Sequence, residues 1–385
     1  MIWNWQQPDW PQFTWETGRL ALAEQELLLG GGRLAGTVEQ LSGDEHNLFT
    51  VEVMRREAIT TSELAGEVMD RASVESSIRK QLRLSADKRR VGLTEQGAAE
   101  MMVDLYRSFN DPLTEETLAA WHLMLMAGRR DLAETARYRP REEPMQIVSG
   151  APDNPRVHFE APPSSRVPAE MTQFIEWFNR TAPGAANPLP ALTRAGIGHL
   201  YFECIHPFAD GNGRIGRAIA EKSLAQGLGR PMATALAATI LVHRKSYYAA
   251  FEAASRRNEI TNWLAWFAGM TIEAQRRTLA LAEFLIGKAK LLGPLRGQIN
   301  TRQAKALARM FKEGPEGFAG GMTAGNYATI TGASPATTTR DLVDLVDKGG
   351  LVREGELRHA RYHLNMPLRA IKPVKVNERG ELAEG

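Results

Sequence analysis

"HPFADGNGRIGR", residues 206–217, brings an imidazole, a carboxylate, a glycine-rich turn and two guanidinium groups into one short stretch. Apolar positions follow at helical spacing (Ile215, Ala218, Ile219), so the stretch reads as a loop entering a helix. Free N–H groups and the positive end of the helix dipole converge at such a start, and Gly211 and Gly213 let backbone approach an anion closely. Asp210 beside phosphates calls for a cation between them, and Mg²⁺ typically bridges one or two carboxylates and phosphate oxygens. Arg214 and Arg217, three apart on one helical face, suit the remaining oxygens. A polyphosphate is the natural ligand. His206 then has a task, since an imidazole of pKa about 6.5 accepts a hydroxyl proton at neutral pH, worth roughly 10²- to 10⁴-fold in rate. Each part alone is an ordinary feature. The ordered set describes metal-assisted attack of a hydroxyl on a nucleotide phosphate.

The surrounding chain of 385 residues allows two or three domains. Lys and Arg number 47 against 45 acidic residues, a net charge of +2, so no global field draws the molecule onto nucleic acid or a membrane. Any anion must be held locally. Cys204 is the single cysteine, which excludes an internal disulfide and a cysteine-clustered zinc site and fits a reducing compartment. The first 15 residues carry Trp3, Trp5, Trp10 and Trp15 interleaved with Pro8 and Pro11. They lack the basic and apolar regions of a secretory signal and read as an extended arm pinned to a core by aromatic anchors. No apolar run reaches the roughly 20 residues of a membrane helix, so no membrane partner is expected and the expected location is the cytoplasm.

Periodicity predicts a mainly α protein. Residues 17–84 are helical with a break at Gly30-Gly31-Gly32, and helical patterns return over 113–128 and 166–290. Between them "MQIVSG" and "RVHFEA", joined by "APDNP", read as a β-hairpin. After "GPLRG" near residue 295, three helical segments and strand-like "LVREGELRHARYHLN" predict a winged helix-turn-helix. The segment from Pro367 is charged and predicted to be a flexible tail.

Residues 206–217 match the Fic signature H-P-F-x-[D/E]-G-N-G-R-x-x-R at every specified position. With the Trp-rich N-terminus, "ARYR", "VHFEAPP", "YYAAFEAA" and the C-terminal segment, the chain resembles the Fic subgroup that has an N-terminal inhibitory-helix domain and a C-terminal winged helix. The resemblance implies an N-terminal helical domain over 1–95, a Fic catalytic domain over 96–290 with a β-hairpin flap, a winged helix over 297–366 and a tail over 367–385. It implies protein adenylylation, the transfer of AMP from ATP to a hydroxyl side chain of a target protein. In that scheme His206 is the base and Asp210 binds Mg²⁺. Gly211, Asn212 and Gly213 form the anion nest, Arg214 and Arg217 hold the distal phosphates, and Tyr247, Tyr248 and Asn258 are candidates for adenine contact. The flap around Met145, Gln146, Ile147 and Val148 pairs with the target as an added β-strand. The partners implied are thus ATP and a target protein, with a homodimer left open.

One departure stands out. The family's inhibitory motif, [S/T]-x-x-x-E-[G/N], aligns with Thr61 to Gly66 and puts Ala65 where a glutamate pairs with the second motif arginine. Arg217 is then expected to lack that partner. Ala65 admits three readings: an engineered Glu→Ala change, a natural alanine giving a constitutively active enzyme, or replacement of the glutamate by Glu63 or Glu67. Against the last stands a rotation of about 200° for two helical positions.

Two rival functions remain. Some relatives transfer other phosphate-containing groups, but those of the Doc type lose the arginine pattern present here. DNA binding through the C-terminal domain is disfavoured by Asp341, Asp344 and Asp347, an acidic stripe on the expected recognition helix. His199, one helical repeat before His206, is expected in the core.

Overall fold

Helices carry almost all of the architecture, and among the described residues strands come only in pairs. The structure is a computed structural model that describes all residues except 1, 130, 133–134, 141–143, 150–155, 232–233 and 319. In chain order α1 (Ala21–Val38), α2 (Gly43–Leu64), α3 (Arg71–Gln81), α4 (Leu93–Arg107) and α5 (Glu115–Leu125) lead to the hairpin strands β1 (Gln146–Ser149) and β2 (Arg156–Glu160). There follow α6 (Val167–Arg180), α7 (Ala191–Ile205), α8 (Asn212–Leu228), α9 (Leu236–Val242), α10 (Arg244–Ala254) and α11 (Thr261–Leu295). The rest is α12 (Thr301–Phe311), α13 (Ala324–Thr331), α14 (Pro335–Asp347), then the pairs β3 (Leu351–Glu354) with β4 (Arg361–Leu364) and β5 (Val374–Val376) with β6 (Leu382–Glu384).

Two compact units result. One comprises Met1–Gly32, Thr50–Gln275 and Pro373–Gly385, the other Arg33–Phe49 and Arg276–Lys372. These bounds differ from the expected domains, because residues 50–95 pack with the core that surrounds 206–217 instead of forming a domain of their own. At the centre of the first unit lie α7 and α8. Every residue of α7 from Leu192 to Ile205 is buried, the mark of a helix enclosed on all sides. The aromatic arm is anchored as expected: Trp3 meets Phe159 edge-on at 5.2 Å, Trp10 meets Tyr201 at 5.2 Å, and the buried Asn4 donates its Nδ2 to Cys204 Sγ at 3.2 Å.

Two expectations are corrected in this unit. The glycines at 30–32 do not interrupt α1; they let it approach its neighbours. A Cβ on Gly30 would sit 2.0 Å from Gln275 Oε1, and one on Gly31 2.8 Å from Leu228 Cδ2. The C-terminal segment is likewise not a loose tail, since β5 and β6 pair and Val374 is buried at 1% exposure. The Val374 carbonyl lies against α11, where a Cβ on Gly269 would come within 2.4 Å of it.

In the second unit the order is α12, α13, α14 and then the β3–β4 hairpin, the succession expected of a winged helix. Met322 bridges to Tyr362, and Leu307, Tyr327, Leu342, Leu345 and Leu351 fill the core. The acidic stripe is only partly on the surface: Asp347 is exposed and Asp344 half-buried, but Asp341 turns inward. Asp341 is buried and accepts from Arg302 Nε at 2.8 Å, Tyr327 OH at 2.9 Å and Asn300 Nδ2 at 3.0 Å. A carboxylate at a helix position that faces the core needs such donors.

The C-terminal hairpin gives a direct test. Val374→Ala removes two buried methyl groups and should cost about 2 kcal/mol, read as a lower urea midpoint; a loose tail would leave the midpoint unchanged.

Candidate active site

The reversal between α7 and α8 builds the site. His206 caps α7 in the left-handed region (φ 52°, ψ 59°), a conformation that costs a non-glycine residue roughly 1–2 kcal/mol. Arg139 holds it there: its Nε donates to the His206 carbonyl at 2.8 Å and its backbone N–H to the Pro207 carbonyl at 2.8 Å. Its Nη2 also donates to the Pro162 carbonyl. Phe208 is buried and stacks on His122 at 4.3 Å. Gly211 then takes φ 82°, which favours glycine, and α8 begins. Asn212 staples the loop, accepting from Phe208 N–H at 2.9 Å and donating to the Phe208 carbonyl at 2.8 Å. What Asn212 leaves for a ligand is its backbone N–H, one of the first-turn donors without an intrahelical acceptor.

These elements border a cavity of about 400 Å³. His206, Asp210, Gly211, Asn212, Gly213, Arg214 and Arg217 line one side, and Met145 to Val148 of the flap line another. Tyr247, Tyr248 and Phe251 of α10 form an aromatic wall, with Leu64 and Ala65 from the end of α2. The structure therefore gathers most of the expected residues around one space. Asn258 lies elsewhere: it is buried, and its amide donates to Asp9 Oδ1 at 2.7 Å and to the Asn4 carbonyl at 3.4 Å, tying the N-terminal arm. An asparagine a few residues beyond an aromatic helix gives no sign in sequence of which way it turns.

The flap pairs β1 with β2 antiparallel, and among the described residues β1 has no other strand partner. Its expected connection "APDNP" lies outside the described residues. Arg156 and His158 of β2 both reach Glu252 at 2.9 Å, and the His158 ring stacks on Tyr248 at 5.1 Å. The outer edge of β1 thus sits on a hairpin pinned to α10.

The arginines are deeply held. Arg214 is 1% exposed; its Nη1 donates to Glu67 Oε2 at 2.6 Å, while its Nε and Nη2 have no hydrogen-bond partner. Burial lowers its pKa, opposed by Glu67 and Asp210. Arg217 is not without a partner: Nε donates to Thr61 Oγ1 at 2.7 Å and Nη2 to the Thr61 carbonyl at 3.0 Å. Glu67 reaches the motif after all, though at the first arginine. The rotation argument fails because α2 ends at Leu64 and Gly66, at φ 84°, turns the chain. Asp210 accepts from Gly211 N–H at 2.6 Å and from Arg129 Nη1 at 2.6 Å, and Arg129 also lies 3.7 Å from Glu67. Arg129 and Arg139 are site residues that sequence reasoning did not name, and Glu67 is one that it set aside.

Among the described residues no three His, Cys, Asp or Glu side chains cluster as a metal site. Asp210, the carboxylate on the cavity wall beside the start of α8, fits Mg²⁺ in the form that keeps waters and takes its other oxygens from nucleotide phosphates.

Residues 112–224 match the Fic/DOC family. The chain carries a Fic/DOC domain. Residues 3–84 match a domain of unknown function, DUF4172. Among solved structures, a Fic family protein from Desulfovibrio desulfuricans G20 is similar over 89% of this chain and 95% of its own, with 22% identity and a TM-score of 0.50. A Fic domain containing signaling protein from Bacteroides thetaiotaomicron VPI-5482 is similar over 67% of this chain and 97% of its own, with 15% identity and a TM-score of 0.51. At these identities the likeness is one of fold. No curated protein matches the chain. Fic domains in general are transferases of phosphate-containing groups to proteins. Among the described residues no helix is long and apolar enough to cross a membrane.

Several buried groups near this Fic domain's cavity titrate abnormally. Burial pushes Glu57 and Glu203 up to about 7, and His199 and His206 down to about 4. A raised carboxyl contributes stability that is complete below its unfolded value and lost as pH rises through about 7. A lowered histidine contributes stability present above about 6.5 and lost as pH falls through about 4. Between pH 6.5 and 8 the carboxyls therefore dominate the slope. The melting temperature should fall across that window, and Glu57→Gln should flatten the fall; a slope identical in the variant would contradict the assignment.

Proposed function

We propose that this chain is a protein adenylyltransferase that moves AMP from ATP to a hydroxyl side chain of a target protein. The observation that carries the reading is Arg214. A guanidinium buried to 1% exposure with two nitrogens that make no hydrogen bond, one of them 3.8 Å from Asp210 Oδ1, is costly unless a ligand supplies acceptors, and it stands in the first turn of a helix that opens on the cavity of His206. Arg217 in the next turn gives a second cation. Phosphate oxygens answer both.

The step balances as follows. The target's hydroxyl oxygen forms a bond to the α-phosphorus, the bond from that phosphorus to the bridging oxygen of the β-phosphate breaks, and pyrophosphate leaves with the electron pair. His206 takes the hydroxyl proton. Its Nδ1 lies 3.3 Å from the Glu203 carbonyl, so Nε2 is the nitrogen left for the target. Arg214, Arg217 and the N–H groups at the start of α8 hold the leaving phosphates, and the aromatic wall of Tyr247 and Tyr248 receives the adenine. The edge of β1 receives the target as an added strand, which aligns its hydroxyl with His206. Mg²⁺ bound at Asp210 neutralises phosphate charge when present; Arg129 then has to give up that carboxylate. Transfer of a single phosphate or of phosphocholine uses the same donors less fully, because neither leaves pyrophosphate for two arginines; transfer of UMP would leave it, and the mass of the product separates that case.

Ala65 lines the cavity, one turn beyond Thr61, which holds Arg217. A carboxylate at that position competes with phosphate for the arginines. Incubation with labelled ATP and lysate, with mass spectrometry of the product, should give the AMP mass on hydroxyl side chains, no labelling with His206→Ala, and at least roughly tenfold less with Ala65→Glu. The UMP, phosphate or phosphocholine mass, or equal labelling by the His206 variant, would overturn the reading.

A further inference from the structure

Beside His206, where Glu203 joins it on the cavity wall, lie buried polar groups that the transfer step leaves unused. Glu203 is one turn earlier on α7 and 3% exposed. Its Oε2 lies 3.8 Å from His206 Nδ1, and its Oε1 has no hydrogen-bond partner. His199, fully buried a further turn back, meets the Tyr247 hydroxyl at 3.1 Å through Nε2. Gly216 of α8 makes the room for both: a Cβ there would be 2.4 Å from Glu203 Oε1 and 3.3 Å from His199 Nδ1. Burying a carboxyl with one oxygen unsatisfied is costly, and the apolar α7 around it offers nothing in return.

We propose that Glu203 is a positioning residue for His206: its carboxylate joins its own backbone carbonyl in holding the proton on Nδ1 and balances the charge the imidazole gains when Nε2 takes the target's proton. The inference rests on His206 being the base. The need is physical. Burial disfavours a charged imidazole at this position, pushing His206 down to about 4, with Arg139 acting in the same direction and Asp210 against it. A carboxylate on the far ring nitrogen is the compensation that general-base histidines use when they are shielded from water. Arg217 of α8 and Tyr247 of α10 face Glu203, with Cys204 beside it on α7. Arg217 favours its ionised form, so its proton is lost near neutrality despite burial. Catalytic hydrogen bonds are often long before substrate binds, which accommodates the 3.8 Å separation.

Two variants of the full chain separate charge from shape. Glu203→Gln keeps the size and the backbone carbonyl but removes the charge. Gly216→Ala keeps the carboxyl but displaces it, and a helical Gly→Ala change favours folding. In wild type and both variants, kcat and KM for ATP are measured across pH by labelled-ATP transfer, and the His206 imidazole is titrated by ¹⁵N NMR in the resting protein, with His206→Ala for assignment. Glu203→Gln should lower kcat at least about tenfold, a part of what a positioned base contributes, with KM for ATP changed less than about threefold. In wild type, kcat should rise with pH through a limb near neutrality, where Glu203 ionises, and the His206 ¹⁵N signals should step at the same pH; both features should be lost in Glu203→Gln. Gly216→Ala should weaken both. A His206 ¹⁵N titration with no step near neutrality in wild type, or with the same step in Glu203→Gln, overturns the inference without reference to transfer, as does a fall in kcat with an unmoved neutral limb. Equal labelling by His206→Ala and wild type instead overturns the reading of His206 as base, which the ¹⁵N result does not depend on.

Discussion

Everything at this site depends on one backbone reversal, the step from α7 to α8 through a left-handed His206 and a left-handed Gly211. Two elongated helices with buried faces could pack without it, but only this turn brings the end of α7 and the beginning of α8 to the same wall of the cavity. The strain at His206 is of the order of 1–2 kcal/mol, and a charge-assisted hydrogen bond contributes about 1.5–3 kcal/mol. The Arg139 guanidinium on the His206 carbonyl is therefore enough to hold the conformation, and the Asn212 amide locks the loop that follows. The base and the anion site are thereby set by the same few hydrogen bonds, so neither shifts without the other.

A second constraint is charge. Arg194, Arg214 and Arg217 are all buried in the first unit, but they are satisfied to different degrees. Arg194 uses its nitrogens on Thr181, Ser223, Gln226 and the Phe178 carbonyl, the pattern of a structural cation. Arg214 leaves two nitrogens without a hydrogen bond and leans on Glu67 and, at 3.8 Å, on Asp210. The contrast separates a guanidinium that completes the core from one kept for a ligand, using only hydrogen-bond counts inside one molecule. Glu67, Arg129 and Asp210 form an ion-pair chain along the same wall, with separations of 3.7 Å and 2.6 Å. Any anion that takes Arg214 must compete with that chain, which gives the segment after α2 a say in ligand binding even with alanine at 65.

How much of this was legible follows from the range of the interactions. The motif 206–217 was readable because its residue types carry their chemistry locally: glycines for a helix entry, arginines on one face, an imidazole before the turn. The helical class, the flap and the order of the C-terminal helices and hairpin were readable from periodicity. Arg139, Glu203 and Glu67 were not, because their roles come from what the fold brings beside them. Glu67 was set aside on helical geometry that stops at Leu64, and nothing in the local pattern of α7 separates Glu203 from its other polar residues, Thr193, Arg194 and His199. The Gly30–Gly32 run was misread for a related reason. Glycine marks either a turn or a close approach, and only the neighbours, here Gln275 and Leu228, decide which. Asp341 and the C-terminal segment were misjudged because charge was taken as a sign of exposure, whereas a charge with enough donors is stable inside.

The aromatic wall shows how remote segments set the geometry of the cavity. Tyr247 and Tyr248 belong to α10, and α10 is fixed from two sides. The flap grips it through Arg156 and His158 on Glu252, and the N-terminal arm caps its end, where Asn4 N–H donates to the Ser255 carbonyl at 2.8 Å. Asn258 belongs to this second clamp through Asn4 and Asp9. Its place is to hold the arm against the segment after α10, and through it the wall that faces His206. An extended arm rich in tryptophan is thus part of the site's scaffold: Trp3 buries its ring against Phe159 of the flap, Asn4 beside it bonds the end of α10, and Trp10 packs on Tyr201 of α7, so one arm touches the elements that carry the flap, the aromatic wall and His206.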